Sequence, residues 1–272
     1  VPSMSPLAHT LVLLALTTAT AAIKMVSLDM APASFDDQYE GCRDAMRKAL
    51  PALNRSEFQE NPLFAQVWAK ATAKWQQRGS RVSPLSSSAQ AIALMAYTMN
   101  DLYKEFNAAV RKAGKSPQEY RDNFHFKTLH FLLPDALAAL RDAQGQKNCC
   151  VFRGVGGIQF DVKPGQTVRF GQFTSASLCE HEIKLFGEDT MFRVETEQGV
   201  DIQKFSCIPH EKEVLIPPFE TFKVTDVTKK GDKMWIWLRS TGTHSNYNCE
   251  WLRGDNGDSV EIMTFGEVWG QG

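Results

Sequence analysis

The sequence predicts an α+β fold, with an N-terminal helical lobe packed on a mixed, strand-rich core. Apolar residues recur at steps of three and four up to about residue 147. After that point short β-prone runs separated by turns take over. A hydrophobic share of 43% against 22% charged residues is that of an ordinary globular chain, so a folded core is expected rather than disorder. The formal net charge of -1 offers no basic excess for a nucleic acid partner.

Residues 4–22 read as a secretory signal: Leu11 to Leu16 form a short apolar run, and Ala19-Thr20-Ala21 has the small-residue spacing of a cleavage site. The run is too short for a membrane span, which needs about 20 apolar residues. A buried N-terminal helix is the competing reading. Val1-Pro2-Ser3 precede the start at Met4.

The helical lobe is assigned to residues 23–147. Residues 36–50 carry Tyr39, Met46 and Leu50 at helical spacing. Residues 61–78 place Phe64, Val67, Trp68, Ala71 and Trp75 on one face. Residues 86–99 follow Pro84 and a run of serines able to cap a helix. Residues 136–143 form another helix, with Pro134 and Asp135 at its start.

The strand-rich lobe is assigned to residues 148–253. Strands are expected at 150–153, 190–196, 202–206, 213–216, 221–227 and 234–238. In the last, Trp235 and Trp237 alternate with Met234, Ile236 and Leu238, which predicts burial on both faces. A helix is expected at 177–186, ended by Gly187. Residues 254–272, rich in Gly and Asp, are expected to form a loose tail.

The even count of six cysteines (Cys42, Cys149, Cys150, Cys179, Cys207 and Cys249) suggests disulfides in a secreted chain. There is no C-x-x-C pair and no histidine cluster near them, so no metal site is expected. Asn54-Arg55-Ser56 is a glycosylation sequon, expected on a surface turn after a helix.

Three segments of the strand-rich half carry candidate chemistry. In Phe152-Arg153-Gly154, an arginine at the end of a buried strand needs an anion, and its planar fork suits a phosphate. Gly154, Gly156 and Gly157 would let a ligand approach the backbone. Taken alone, the arginine is more readily explained by an internal salt bridge beside an ordinary turn, and the glycines do not make a dinucleotide fingerprint. Residues 172–177 offer Thr174, Ser175 and Ser177, whose hydroxyls could bind a ligand or cap the following helix. Glu211-Lys212-Glu213 enters an apolar run. If it is strand, both carboxylates share a face, where like charges raise one pKa. Such a pair suits a cationic centre; a solvated edge strand is the alternative.

Taken in order, Arg153, Ser175 and Glu213 resemble the R-S-E signature of the vertebrate ecto-mono-ADP-ribosyltransferases and their arginine-modifying bacterial relatives. The resemblance extends to Ser34-Phe35-Asp36-Asp37-Gln38-Tyr39 with Gly41-Cys42, to Ala96-Tyr97-Thr98, to Phe186-Gly187-Glu188-Asp189-Thr190, and to Val214-Leu215-Ile216-Pro217-Pro218 after Glu213. It runs from about Leu28 to Trp251.

It implies one catalytic domain with an NAD-binding core, NAD as co-substrate without a metal, and transfer of mono-ADP-ribose to protein arginines. By the same resemblance Arg153 contacts the phosphate or ribose of NAD and Ser175 positions the nicotinamide-side ribose. Glu213 stabilises the oxocarbenium-like transition state as nicotinamide leaves. Glu211 is the first acid of the E-x-E motif and engages the acceptor guanidinium. Tyr97, Gly154, Gln172 and Ser206 are expected to bind NAD. Cys42 is expected to pair with Cys249, and Cys207 with Cys149 or Cys150. The expected partners are NAD and arginine-bearing proteins outside the cell or in the secretory pathway. The expected state is a secreted monomer, released because no apolar tail closes the chain. The rivals are a secreted NAD glycohydrolase, which the acceptor-side Glu211 disfavours, and a non-catalytic binding protein, which the intact R-S-E set disfavours.

Overall fold

A computed structural model describes residues 23–145, 149–180 and 187–254. The expected signal at 4–22, the boundary near 147, most of the expected helix at 177–186 and nearly all of the expected tail lie outside these residues.

Among the described residues a short strand comes first, then six helices, then a mixed sheet. Helix α1 (Arg43–Glu60) starts later than expected. Residues 36–42 are not helical because Asp36 and Asp37 bind distant backbone. Asp36 accepts from the amides of Asn246 and Tyr247, and Asp37 from those of Cys249 and Glu250. Asn54 lies inside α1 rather than on a turn, half-buried, its Oδ1 buried without a hydrogen-bond partner. The helix runs on through Pro51 and takes the sequon with it.

Helix α2 (Pro62–Arg78) follows its local code. Asn61 caps it by accepting from the Phe64 amide at 3.0 Å, Pro62 opens it, and Gly79 closes it at φ 61°. Its buried face is Phe64, Val67, Ala71 and Trp75. Helix α3 (Ser88–Tyr97) starts with a capping box between Ser87 and Gln90. Helices α4 (Tyr103–Ala113) and α5 (Pro117–Asn123) were not foreseen. Helix α6 (Lys127–Gln144) begins well before residue 136 and keeps Pro134 inside it. Its first turn is capped from α1, where the Glu57 carboxylate accepts from the amides of Lys127 and Thr128.

A short parallel pair joins β1 (Lys24–Ser27) to β3 (Ile158–Asp161). Among the described residues the main sheet has eight strands: β2 (Cys149–Val155), β4 (Thr167–Val168), β5 (Thr174–Ser177), β6 (Thr190–Thr196), β7 (Val200–Asp201), β8 (Glu213–Ile216), β9 (Glu220–Lys230) and β10 (Lys233–Thr243). Their order is β4-β9-β10-β6-β2-β5-β8-β7, with β10 and β6 parallel. Residues 202–206 are not strand; the amides of Phe205 and Ser206 both turn back onto the Ile202 carbonyl. Ser177 ends a strand rather than starting a helix, since it pairs with Glu213 and its hydroxyl is held by the Glu211 carbonyl. Strand β10 buries Met234, Ile236 and Leu238 on one face only, while Trp235 and Trp237 lie half-exposed on the other.

Two apolar cores flank β8. Leu215 faces the helices with Phe173, Ile202 and Phe205. Val214 and Ile216 face the inside of the sheet with Val151, Phe192 and Ile236. The segment before α1 is tied down by the expected Cys42–Cys249 disulfide and by an Arg169–Asp36 ion pair at 2.6 Å that is fully shielded from solvent. The expected bridge from Cys207 is absent: Cys150 and Cys207 are free thiols. Cys150 lies exposed on β2 against Arg193, whereas Cys207 sits beside Lys74 of α2, so they are held on different elements.

Candidate active site

Strands β2, β5 and β8 lie side by side and bring the three signature residues together. Arg153, on β2, donates from its Nη1 to the Ser175 carbonyl at 2.6 Å. Burial works against its charge, and Tyr97, Tyr103 and Glu213 favour it. Ser175, on β5, sits opposite Leu215, and its side chain helps to hold down the pKa of Glu213.

Glu213 opens β8 and is 5% exposed. Its pKa is pushed up to about 7, first by loss of solvent. The neighbouring Glu211 charge raises it further, while the hydrogen bonds from Ser175 and Ser206 and the charge of Arg153 oppose the rise. Ser206 is fully buried; its hydroxyl donates to Glu213 Oε2 at 3.3 Å and accepts from the Ile208 amide.

Glu211 is not on the strand. It ends a 3-10 turn (Pro209–Glu211), and Lys212 follows in the left-handed region at φ 48°. The alternation expected of a strand therefore does not apply. Both carboxylates still line one recess, because the Ser177 hydroxyl donates to the Glu211 carbonyl at 2.8 Å and pins the turn beside β5.

The recess adjoins a cleft of about 590 Å³ between the helices and the sheet. Tyr97, at the end of α3, is 2% exposed and donates to the Phe173 carbonyl at 2.9 Å. Burial raises its pKa to about 12, so it stays a protonated donor. Gly154 and Gln172 also line the cleft, and Gln172 accepts from Arg111. Ser206 stands behind Glu213 rather than on the cleft wall.

Sequence reasoning missed the opposite wall. Lys104, Asn107 and Arg111 of α4 line the cleft with Asn100 and Tyr103. Their spacing of three and four residues is a polar stripe on one helix face, a signal that was available once α4 was recognised. Two of these side chains add positive charge facing the acids, which suits a pyrophosphate. Among the described residues no group of His, Cys, Asp or Glu could hold a metal ion.

Residues 28–246 match the family described as NAD:arginine ADP-ribosyltransferase. The chain belongs to this family. A relative from Gallus gallus, the erythroblast NAD(P)(+)--arginine ADP-ribosyltransferase, is 51% identical over 85% of the chain and 78% of its own length. The human GPI-linked NAD(P)(+)--arginine ADP-ribosyltransferase 1 is 48% identical over 84% of the chain and 75% of its own length. The crystal structure of the eukaryotic mono-ADP-ribosyltransferase ART2.2 superposes with TM-score 0.71 at 35% identity, over 83% of the chain and 98% of that structure. A mutant of that protein was solved in complex with NAD. This member of the family thus has the ADP-ribosyltransferase fold around its cleft. No helix of its described residues is long and apolar enough to cross a membrane.

Proposed function

We propose that the chain transfers mono-ADP-ribose from NAD to arginine side chains of proteins and releases nicotinamide. The observation that carries this is the joint lining of one cleft by Arg153, Ser175, Glu211 and Glu213, in a chain close to half identical to arginine ADP-ribosyltransferases.

Each residue has a role that its position supports. Arg153, with Lys104 and Arg111 across the cleft, offers positive charge to the pyrophosphate. Ser175 stands beside Glu213 on the cleft wall and favours its charged form, while Ser206 orients the carboxylate from behind. Glu213, nearly dry, holds negative charge where the ribose becomes positive as nicotinamide leaves; low local polarity strengthens that attraction. Glu211 sits at the recess beside it and binds the incoming guanidinium, a planar cation that a carboxylate can grip with two hydrogen bonds. Tyr97, Gly154 and Gln172 shape the NAD cleft.

The Cys42–Cys249 disulfide supports an oxidising compartment, and the apolar run at 11–16 supports secretion, so the acceptors are proteins met outside the cell or on the way there.

Incubation of the purified chain with NAD and the small guanidine agmatine tests the reading. Nicotinamide and ADP-ribosyl-agmatine should form together. Free ADP-ribose without adduct would make the chain a glycohydrolase; no turnover by folded protein would leave a binding protein.

A further inference from the structure

We infer that Asn107 is a positioning residue for this transfer reaction: from α4 it holds the Phe173 carbonyl and thereby fixes the strand that presents Ser175. The inference rests on the transferase reading above.

Asn107 is the polar member of the buried face of α4, beside Phe106, Val110 and Ala113. It is 5% exposed. Its Nδ2 donates to the Phe173 carbonyl at 3.0 Å and to the Tyr97 hydroxyl at 3.3 Å. The Tyr97 hydroxyl donates to the same carbonyl at 2.9 Å. A carbonyl oxygen only accepts, so the amide nitrogen must face it and the orientation of the side chain is settled. That leaves Asn107 Oδ1 buried with no partner. A leucine would fill such a site without stranding an acceptor. The asparagine is kept at a cost, and what it adds is a second donor to the Phe173 carbonyl and a donor to the Tyr97 hydroxyl, the other group bound there.

That point matters because Phe173 lies two residues before Ser175. The neighbouring Phe106 stacks on the Phe173 ring at 5.6 Å, so consecutive residues of α4 hold both the ring and the carbonyl of one residue. On the far side, Arg153 holds the Ser175 carbonyl at 2.6 Å. Ser175 is therefore bracketed, by the helical lobe at residue 173 and by β2 at residue 175. Without Asn107 the carbonyl keeps one donor of two, and Tyr97 loses the donor that orients its hydroxyl. The strand start can then shift, and with it the Ser175 side chain that lines the cleft beside Glu213. Asn107 lines the cleft, but its Oδ1 is shielded and its Nδ2 is taken up by Phe173 and Tyr97, so the side chain acts through the groups it holds.

Asn107→Leu and Asn107→Asp in the full chain, assayed with NAD and agmatine and followed by thermal melting, test this. Asn107→Leu should lower kcat for both transfer and hydrolysis by about tenfold or more, with KM for NAD within about twofold. In Asn107→Asp a protonated carboxyl can donate to Phe173 and a carboxylate cannot, so activity relative to the parent at the same pH should fall as pH rises. A raised KM with unchanged kcat would overturn the inference in favour of direct NAD contact. A lower Tm with unchanged kcat would reduce Asn107 to a structural residue. Should Asn107→Leu not fold, a flat pH ratio for Asn107→Asp overturns the inference by itself. Lack of turnover in the parent would instead refute the proposed function, and this role with it.

Discussion

Glu213 meets two opposed demands. The reaction needs its carboxylate, yet burial lifts its pKa from 4.5 to about 7. Between those values the folded protein keeps a proton that the unfolded chain has lost, so stability falls as pH rises through this window. The penalty is absent below about pH 4.5 and complete above about pH 7, where it reaches up to about 3 kcal/mol. Glu213→Gln removes it. We expect this variant to gain stability over the parent at pH 8 but not at pH 4, measured by thermal melting, while losing both transfer and hydrolysis. Full activity would remove Glu213 from the chemistry. In the parent, kcat/KM should climb with pH through about 7 as the carboxylate forms. Glu211 has a different task, and the pair can be separated. Glu211→Gln should lose arginine transfer and retain NAD hydrolysis, read by adduct and free ADP-ribose in one assay. Equal loss of both products would end its role as the acceptor site.

At the scale of elements, what could be read depended on whether the deciding contacts were local. Helix α2 carries its own signals, with a cap, an opening proline, an apolar stripe and a closing glycine within one stretch, and it was legible. Asn61 adds a second bond, donating to the His125 carbonyl at 3.2 Å. Asn61→Ala should therefore cost about 1–2 kcal/mol in urea unfolding; a cost near zero would show that the caps are not formed in solution. Helix α6 was misread at its start because its cap is a carboxylate from α1, seventy residues away in sequence. Residues 36–42 looked helical by spacing, but Asp36 and Asp37 spend their oxygens on backbone more than two hundred residues distant. In β10 the tryptophans suggested two buried faces, yet large aromatic rings are often only partly covered. The site followed the same rule. Arg153 and Glu213 lie on strands seen in the sequence, Glu211 lines the recess with Glu213 but from a 3-10 turn rather than a strand, and Lys104 and Arg111 of the cleft wall were missed along with their helix.

The whole molecule is closed by a latch that has a covalent and an ionic part. The disulfide joins residues 207 positions apart, and it acts mainly by restricting the unfolded chain. Its removal by Cys42→Ser with Cys249→Ser should lower stability by about 2–5 kcal/mol. The Arg169–Asp36 pair is different, because it acts within the folded state. Asp36→Asn leaves the Arg169 charge buried with weaker compensation, a change of about 3–5 kcal/mol when such pairs are broken. Arg169 also stands three residues before Gln172 of the cleft. Between them Gly171 adopts φ 63°, where an added Cβ would lie 2.2 Å from that of Ala31, so this stretch is clamped against the N-terminal segment that Asp36 anchors. The two lesions should therefore differ in kind. Well below their melting temperatures, the disulfide-free variant should keep the parent's kcat and KM for NAD, while Asp36→Asn should raise KM by letting Gln172 and its neighbours move. Steady-state kinetics beside thermal melts decide it. A raised KM in the disulfide-free variant would mean that the covalent tie also sets the cleft, and an unchanged KM in Asp36→Asn would mean that the ion pair holds the N-terminal segment without reaching the site.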